Sequence, residues 1–152
     1  MGKVPNTYLT IGGHSPESLQ QALAHNTMLH KGSLNAKELE TINLAVSEAT
    51  GCDYCLAAHS MMAKKAGFSS EQIRELRRGQ YTEDAHLDAL AKFAQTLVTT
   101  TGTLPEADVT ALRDAGFSDR QVIEAISAIS AILFTNMVNR VNDTVVDFPK
   151  AD

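Results

Sequence analysis

Helix start and stop signals recur along the whole chain, and they constrain its fold more than any other feature. Ser15 before Pro16 has the pattern of an N-cap followed by proline at the first helical position, and Gly32 is placed to end that helix. Alternating apolar and polar runs of strand length are nearly absent. The sequence therefore predicts an all-α protein.

The next two predicted helices flank a glycine. Asn35 with Glu38 three positions later is typical of a capping box. It opens a helix over about 36–50, which Gly51 ends, and another helix follows over about 53–66. We expect the two helices to fold back on each other at this glycine.

Two later segments are also predicted to be helical. The cleanest amphipathic pattern covers about 84–100. The run 125–134 is apolar on nearly every face, which suits either a central core helix or a subunit interface. Residues 66–75 recur as 115–124 at an offset of 49 positions, and each copy has the glycine, phenylalanine and capping box of a corner between helices. The repeat reflects either a duplicated helical unit or common corner chemistry.

Composition limits the possible classes of protein. The chain has 152 residues and 43% hydrophobic content, enough to bury one core, so a single domain over 1–152 is predicted. A net charge of −5 with scattered lysine and arginine disfavours nucleic-acid binding. No signal-peptide core is visible, and no stretch approaches the roughly 18 apolar residues of a membrane span. We expect a cytoplasmic protein.

The most reactive residues form one cluster. Cys52 and Cys55 are the two cysteines of the chain, and His59 follows four positions later. The gap of two residues lets the sulfurs approach each other, so the pair can alternate between dithiol and disulfide. On a helix, the imidazole lies on the same face as Cys55 and favours the reactive thiolate. Cys52 would instead be favoured as an anion by its place at a helix N-terminus.

Other side chains near the cluster have open roles. Glu40 and Glu48 could each lie above the cysteines, where a carboxylate would orient the His59 ring, although either could equally belong to a solvated helix face. Tyr54 could contact substrate or cover the pair. Two non-redox alternatives remain open: zinc held by Cys52, the second cysteine, the histidine and one glutamate, or a helical oligomeric scaffold with inert thiols.

The spacing of four residues resembles that of a known family. Glu40, Cys52, Cys55 and His59 stand in the pattern E-x11-C-x2-C-x3-H. This pattern is similar to that of the alkylhydroperoxidase AhpD-like branch of the carboxymuconolactone decarboxylase family, over a core of about 30–110.

The resemblance implies an all-α thiol peroxidase that reduces hydroperoxides without a bound cofactor or metal. It implies that Cys55 attacks the peroxide, that Cys52 resolves the product into a redox-active disulfide, and that Glu40 and His59 form a proton relay. The expected partners are a hydroperoxide and a dithiol electron donor, such as a lipoyl-bearing protein. A homo-oligomer, trimeric or hexameric, is also expected.

The remaining polar groups are expected at the surface or at helix ends. The other four histidines are dispersed, and a polar cluster follows the apolar run near the C-terminus. These residues are His14, His25, His30 and His86, and Asn136, Asn139, Arg140, Asn142 and Asp143.

The cysteine spacing yields a first prediction. Mild peroxide should convert Cys52 and Cys55 into one intramolecular disulfide, because the two sulfurs can approach each other. Mass spectrometry should show the loss of two hydrogens, and dithiothreitol should restore them. Thiols that stay free under mild peroxide would contradict the redox interpretation, and tightly bound stoichiometric zinc would favour the metal site.

Overall fold

The computed structural model describes residues 2–151, and the regular structure of these residues is entirely helical. The predicted all-α class is therefore confirmed. The helices of the described residues are, in chain order, α1 (Asn6–His14), α2 (Pro16–His30), α3 (Ala36–Thr50), α4 (Asp53–Lys65), α5 (Ser70–Arg78), α6 (Ala85–Thr99), α7 (Glu106–Asp114) and α8 (Asp119–Asn142).

Helix starts agree with the sequence wherever a side chain caps them. Ser15 accepts a hydrogen bond from the Ser18 N–H and opens α2. In the capping box of α3, the Glu38 N–H donates to Asn35 Oδ1 at 3.1 Å, and the Asn35 N–H donates to Glu38 Oε2 at 2.6 Å. By contrast, α1 and α7 follow prolines and have no side-chain cap, which is why the sequence did not predict them.

The two copies of the internal repeat adopt the same corner. Gly67 and Gly116 have φ of 98° and 97°, a left-handed conformation that favours glycine. Reciprocal capping boxes then open α5 at Ser69 and α8 at Ser118. The predicted corner geometry is confirmed, and the origin of the repeat stays open.

The centre of the fold is α3. It packs against α4, α5, α6 and α8, and Ile42, Leu44, Ala45 and Val46 are fully buried. The neighbouring helices therefore take their positions from this one helix, which also carries Glu40.

The apolar run of α8 is buried on one face rather than all round. Ala125, Ile129 and Ile132 are buried, whereas Ile126 is 40% exposed. Of the helices in residues 2–151, only α8 is long and apolar enough to cross a membrane. By that measure the expectation that no stretch approaches a span is wrong. Core helices meet the same criterion, and the buried face of α8 packs on α2, α3 and α4 as a core helix does.

His86 lies in the first turn of α6, a helix-end position as expected, but its ring is only partly exposed. Its ring stacks on Phe117 with centroids 3.8 Å apart. Its Nδ1 and Nε2 lie 2.7 Å from the Ala115 carbonyl oxygen and 2.8 Å from Glu38 Oε1. Burial alone would lower the pKa of His86, but hydrogen bonds to these two acceptors raise it above its ordinary value. The histidine therefore joins α6, α3 and the end of α7.

The turn between α3 and α4 depends on Gly51. This residue ends α3 with φ 66° and ψ 40°, and its N–H donates to the Glu48 carbonyl. The next N–H, that of Cys52, donates to the Ser47 carbonyl at 3.0 Å. The left-handed turn closes the end of α3 and immediately starts the cysteine helix.

We predict that Gly51→Ala lowers the free energy of unfolding by about 1–2 kcal/mol, because a Cβ is disfavoured in the left-handed conformation. No atom within 4 Å would clash with that Cβ, so the cost is conformational. Gly13→Ala is the matched control: Gly13 lies in α1 with open space around it. Denaturant unfolding should show no loss for the control, and equal losses in both variants would contradict the prediction.

Candidate active site

The turn at Gly51 places the two cysteines at the start of α4. Cys52 is the N-cap of this helix, and its Sγ accepts a hydrogen bond from the Cys55 N–H at 3.4 Å. Both thiols are free, and their exposed fractions are only 1% and 3%. His59 follows Cys55 by one turn of α4, on the side that faces α3 and its carboxylates.

Glu40 is the carboxylate that contacts the histidine. Its Oε2 lies 2.8 Å from His59 Nδ1, across the α3–α4 contact. If Nδ1 carries the proton in this bond, Nε2 is the nitrogen left to exchange protons. Glu48 lies elsewhere, at the surface, where its Oε2 accepts a hydrogen bond from Arg77 Nε at 2.6 Å.

The two thiols differ in acidity. A hydrogen bond from the Cys55 side chain lowers the pKa of Cys52 to about 7 against the opposing effect of burial, and the charge of His59 lowers it further. The same bond, together with burial and the charge of Cys52, raises the pKa of Cys55. Cys52 is thus the more acidic of the two thiols, in keeping with its position at a helix N-terminus.

A cavity of about 490 Å³ adjoins the pair. Cys55, His59 and Glu40 line it, whereas Cys52 does not. Its walls come from α1, α2, α3, α4, α8 and the C-terminal segment. Apolar side chains supply much of the wall, among them Leu29, Leu39, Met62, Ile132, Phe134 and Phe148.

Two asparagines of α8 correct the expectation of a surface cluster. Asn136 and Asn139 are buried, and Asn139 Nδ2 donates to Cys55 Sγ at 3.3 Å. The reason is that α8 continues well past the apolar run, so these positions stay on the face that Ile129 and Ile132 bury. Extending that helical period through residue 139 would have found them. Arg140, Asn142 and Asp143 are exposed as expected.

Histidines of α2 also reach the site. His25 and His30 line the cavity, and His25 Nε2 lies 2.8 Å from Ser127 Oγ. For His25 the expected surface role is therefore wrong, because its side chain is only partly exposed and the sequence could not show that α2 packs on α8. His30 is exposed in the last turn of α2, as expected, although it also borders the cavity. His14 lies in the last turn of α1, a helix-end position that agrees with the expectation.

Tyr54 joins both ends of the chain to the site. Its hydroxyl donates to Asp147 Oδ1 at 2.7 Å and accepts from the Thr7 N–H at 3.1 Å. The ring packs edge-on against Phe148, with centroids 5.5 Å apart. Burial, followed by the bond to Asp147, raises the pKa of Tyr54. Tyr54 is therefore a buried tether beside the thiols.

Metal ligands are not grouped in the described part of the chain. Across residues 2–151, no set of three or more histidine, cysteine, aspartate or glutamate side chains is arranged to hold a metal ion. The zinc alternative therefore gains no support from this geometry.

Comparison with known proteins bears on the resemblance seen in the sequence. Residues 16–85 match the model of the carboxymuconolactone decarboxylase family, and the matched stretch includes Glu40, both cysteines and His59. This stretch of the chain is similar to that family. The predicted resemblance is confirmed. A search among curated proteins found no match.

Solved structures share the fold over nearly the whole chain. A peroxidase-related protein described as an alkylhydroperoxidase AhpD core, from Ralstonia eutropha JMP134, is 24% identical with a TM-score of 0.81, covering 99% of this chain and 79% of that one. A peroxidase-related protein from Silicibacter sp. TM1040 is 26% identical with a TM-score of 0.80, covering 99% and 78%. The debrominase Bmp8, in complex with 2,3,4-tribromopyrrole, is 20% identical with a TM-score of 0.83, covering 96% and 79%. The fold is thus AhpD-like.

The acidity difference yields a prediction for the thiols. The ultraviolet absorbance of thiolate should show one ionisation per chain with a midpoint near pH 7, the pKa of Cys52. Cys55→Ala should move the midpoint upward, because the side-chain hydrogen bond to Cys52 is lost. Cys52→Ser should remove the neutral transition. A neutral transition that survives Cys52→Ser would reverse the assignment.

Proposed function

We propose that the protein reduces hydroperoxides through its cysteine pair, with Glu40 and His59 as a proton relay. One observation carries the proposal: Glu40 Oε2 lies 2.8 Å from His59 Nδ1, and both residues line the same cavity as Cys55. A carboxylate and an imidazole beside a redox-capable pair of thiols, one of which lines the cavity, are the groups that peroxide reduction by a dithiol requires.

In this proposal Cys55 is the attacking sulfur, because it lines the cavity and Cys52 does not. The acidity of the two thiols opposes that role, because the pKa of Cys55 is raised and that of Cys52 is lowered. The Cys55 thiolate therefore forms as the minor state, when the proton shared by the two sulfurs moves to Cys52. The hydrogen bond from Asn139 Nδ2 to Cys55 Sγ stabilises that state.

The first chemical step forms a sulfur–oxygen bond. The Cys55 thiolate attacks the terminal oxygen of the hydroperoxide, the O–O bond breaks, and the leaving alkoxide takes a proton from His59 in its protonated form. The products are an alcohol and a Cys55 sulfenic acid. Glu40 holds the His59 ring and stabilises its positive charge until the proton is transferred.

The second step closes the disulfide. The Cys52 sulfur attacks the sulfenic sulfur and gives its proton to His59, which passes it to the departing hydroxide as water. One hydroperoxide and the two thiols are thereby converted into an alcohol, water and a disulfide. A dithiol donor must then reduce the disulfide, and a lipoyl-bearing protein is the proposed donor class. A cytoplasmic location and homo-oligomeric assembly belong to the same proposal.

A second candidate is reductive removal of bromine from an aromatic ring. It is favoured by the largely apolar walls of the 490 Å³ cavity and by the fold shared with a debrominase. The balance would be two thiols and an aryl bromide giving a disulfide, the debrominated ring and hydrogen bromide. Turnover of cumene hydroperoxide and of tribromopyrrole, each with the same panel of dithiol donors, separates the two activities. Turnover of neither substrate would favour the scaffold alternative.

The relay generates a prediction with an internal control. Glu40→Gln should lower the rate of hydroperoxide reduction by roughly 10²–10⁴, because general acid–base catalysis is worth about that much. Glu48→Gln changes the same chemical group on the same helix but affects only the contact with Arg77. Steady-state kinetics, with thermal unfolding as a check of the fold, should show little change for this control.

The outcome that contradicts the relay is specific. If Glu48→Gln slowed the reaction more than Glu40→Gln at equal thermal stability, Glu40 would not be the relay carboxylate. Two further variants test which cysteine attacks and which resolves. With hydroperoxide, the Cys52→Ser protein should form one sulfenic acid per chain without turnover, and the Cys55→Ser protein should form none.

A further inference from the structure

Asn139 holds an unusual position beside the reactive sulfur. It is 4% exposed, it lines the cavity, and its Nδ2 donates to Cys55 Sγ at 3.3 Å. Its Oδ1 is buried and has no hydrogen-bond partner among the described residues. A buried amide oxygen without a partner loses the stabilisation that nearly all buried polar atoms have, and so requires an explanation.

The neighbouring asparagine shows that burial on α8 does not itself leave an amide unsatisfied. Asn136 is fully buried one turn earlier. Its Nδ2 donates to Thr50 Oγ1 at 2.8 Å, and its Oδ1 accepts from Ser47 Oγ at 3.4 Å. Both ends of that amide are used to join α8 to α3, whereas only one end of Asn139 is used.

The free oxygen belongs to the wall of the reaction cavity. Another buried polar atom on this wall, Thr7 Oγ1, also lacks a partner within residues 2–151. The Thr7 side chain makes no contact with a sulfur, whereas that of Asn139 does. Thr135, one turn before Asn139, uses its hydroxyl hydrogen on the Ile132 carbonyl oxygen at 3.0 Å. The side of α8 next to Cys55 thus offers one donor to the sulfur and one unused acceptor, both on Asn139.

We propose that Asn139 binds the hydroperoxide, with its Nδ2 on the Cys55 sulfur and its Oδ1 accepting the hydrogen bond of the substrate's O–H group. The inference rests on the proposed peroxidase function and assigns its substrate contact. The oxygen that bears this hydrogen is the one that the sulfur attacks. One amide would therefore hold both reacting atoms, the sulfur and the terminal oxygen, in contact before the O–O bond breaks.

The proposal selects among reagents by chemistry. A reagent with an O–H group on its reacting oxygen gains the Oδ1 contact, whereas an alkylating agent such as iodoacetamide reacts at carbon and gains nothing. Loss of the Nδ2 contact affects both reactions alike, because both use the Cys55 thiolate. The ratio of the two rate constants therefore isolates the role of Oδ1.

The test measures that ratio in the Cys52→Ser protein, where Cys55 is the remaining thiol. Cumene hydroperoxide is followed through sulfenic acid formation, and iodoacetamide through alkylation. Adding Asn139→Leu should lower the ratio of hydroperoxide to iodoacetamide rate constants about tenfold or more, the usual effect of losing a hydrogen bond at a buried site. Asn136→Leu is the matched control, since it removes the other buried amide of α8, and its ratio should be unchanged.

Asn139→Asp provides a second, nearly isosteric variant. This variant keeps a side-chain oxygen at the position of Oδ1 but loses the Nδ2 donor to Cys55. Both the hydroperoxide and the iodoacetamide reaction should therefore slow, while the ratio of their rate constants stays close to that of the Cys52→Ser protein with Asn139 in place. If Asn139→Leu does not fold, Asn139→Ser takes its place, because the serine side chain is too short to contact both the Cys55 sulfur and the substrate. If the ratio of hydroperoxide to iodoacetamide rate constants fell as far in Asn139→Asp as in Asn139→Leu or Asn139→Ser, the role of Oδ1 would be overturned.

Failure of the substrate contact and failure of the proposed function give different results. If the Cys52→Ser protein with Asn139 in place forms no sulfenic acid with cumene hydroperoxide, the proposed peroxidase function is wrong, and the inference about Asn139 is wrong with it. If sulfenic acid forms and Asn139→Leu leaves the ratio unchanged, the function stands and the inference about Asn139 is wrong.

Discussion

The left-handed turn at Gly51 is the constraint on which the rest of the site depends. It lays α4 against α3, so that His59 meets Glu40 across the helix contact at 2.8 Å. It also makes Cys52 the N-cap of α4, where a helix N-terminus favours an anion. A single backbone conformation thus positions both the acid–base pair and the cysteine at the helix N-terminus.

What the sequence predicted well is local. Capping boxes and stop glycines gave the limits of α3 and α4, because the interactions that set them lie within a few residues. The pairing of Glu40 with His59 followed from the family spacing, since helix geometry alone also permitted Glu48. Helices without side-chain caps, α1 and α7, left no such signal.

What the sequence did not predict arises from packing between distant helices. Asn139 and Cys55 are separated by 84 positions, and the amide reaches the sulfur only because α8 packs across α4. Likewise, His25 and His30 line the cavity because α2 packs on α8, a contact that no local pattern encodes. The motif therefore predicted the site residues of α3 and α4. The residues of α2 and α8 around Cys55 could be found only from the tertiary fold.

The tether at Tyr54 has a consequence for how the protein is made. Asp147 accepts hydrogen bonds from Tyr54 and from the Asn6 N–H, residues that precede it by 93 and 141 positions. Ribosomes synthesise chains from the N-terminus, so α3 and α4 can form long before residue 147 emerges. In the interval the cysteines lack this cover and the Asn139 contact, and they are open to the oxidants and thiols of the cell. The thiol pair is thus sheltered only after residues 139–148 have been synthesised and have packed beside α4, so a nascent chain that lacks them exposes the cysteines more than the folded protein does.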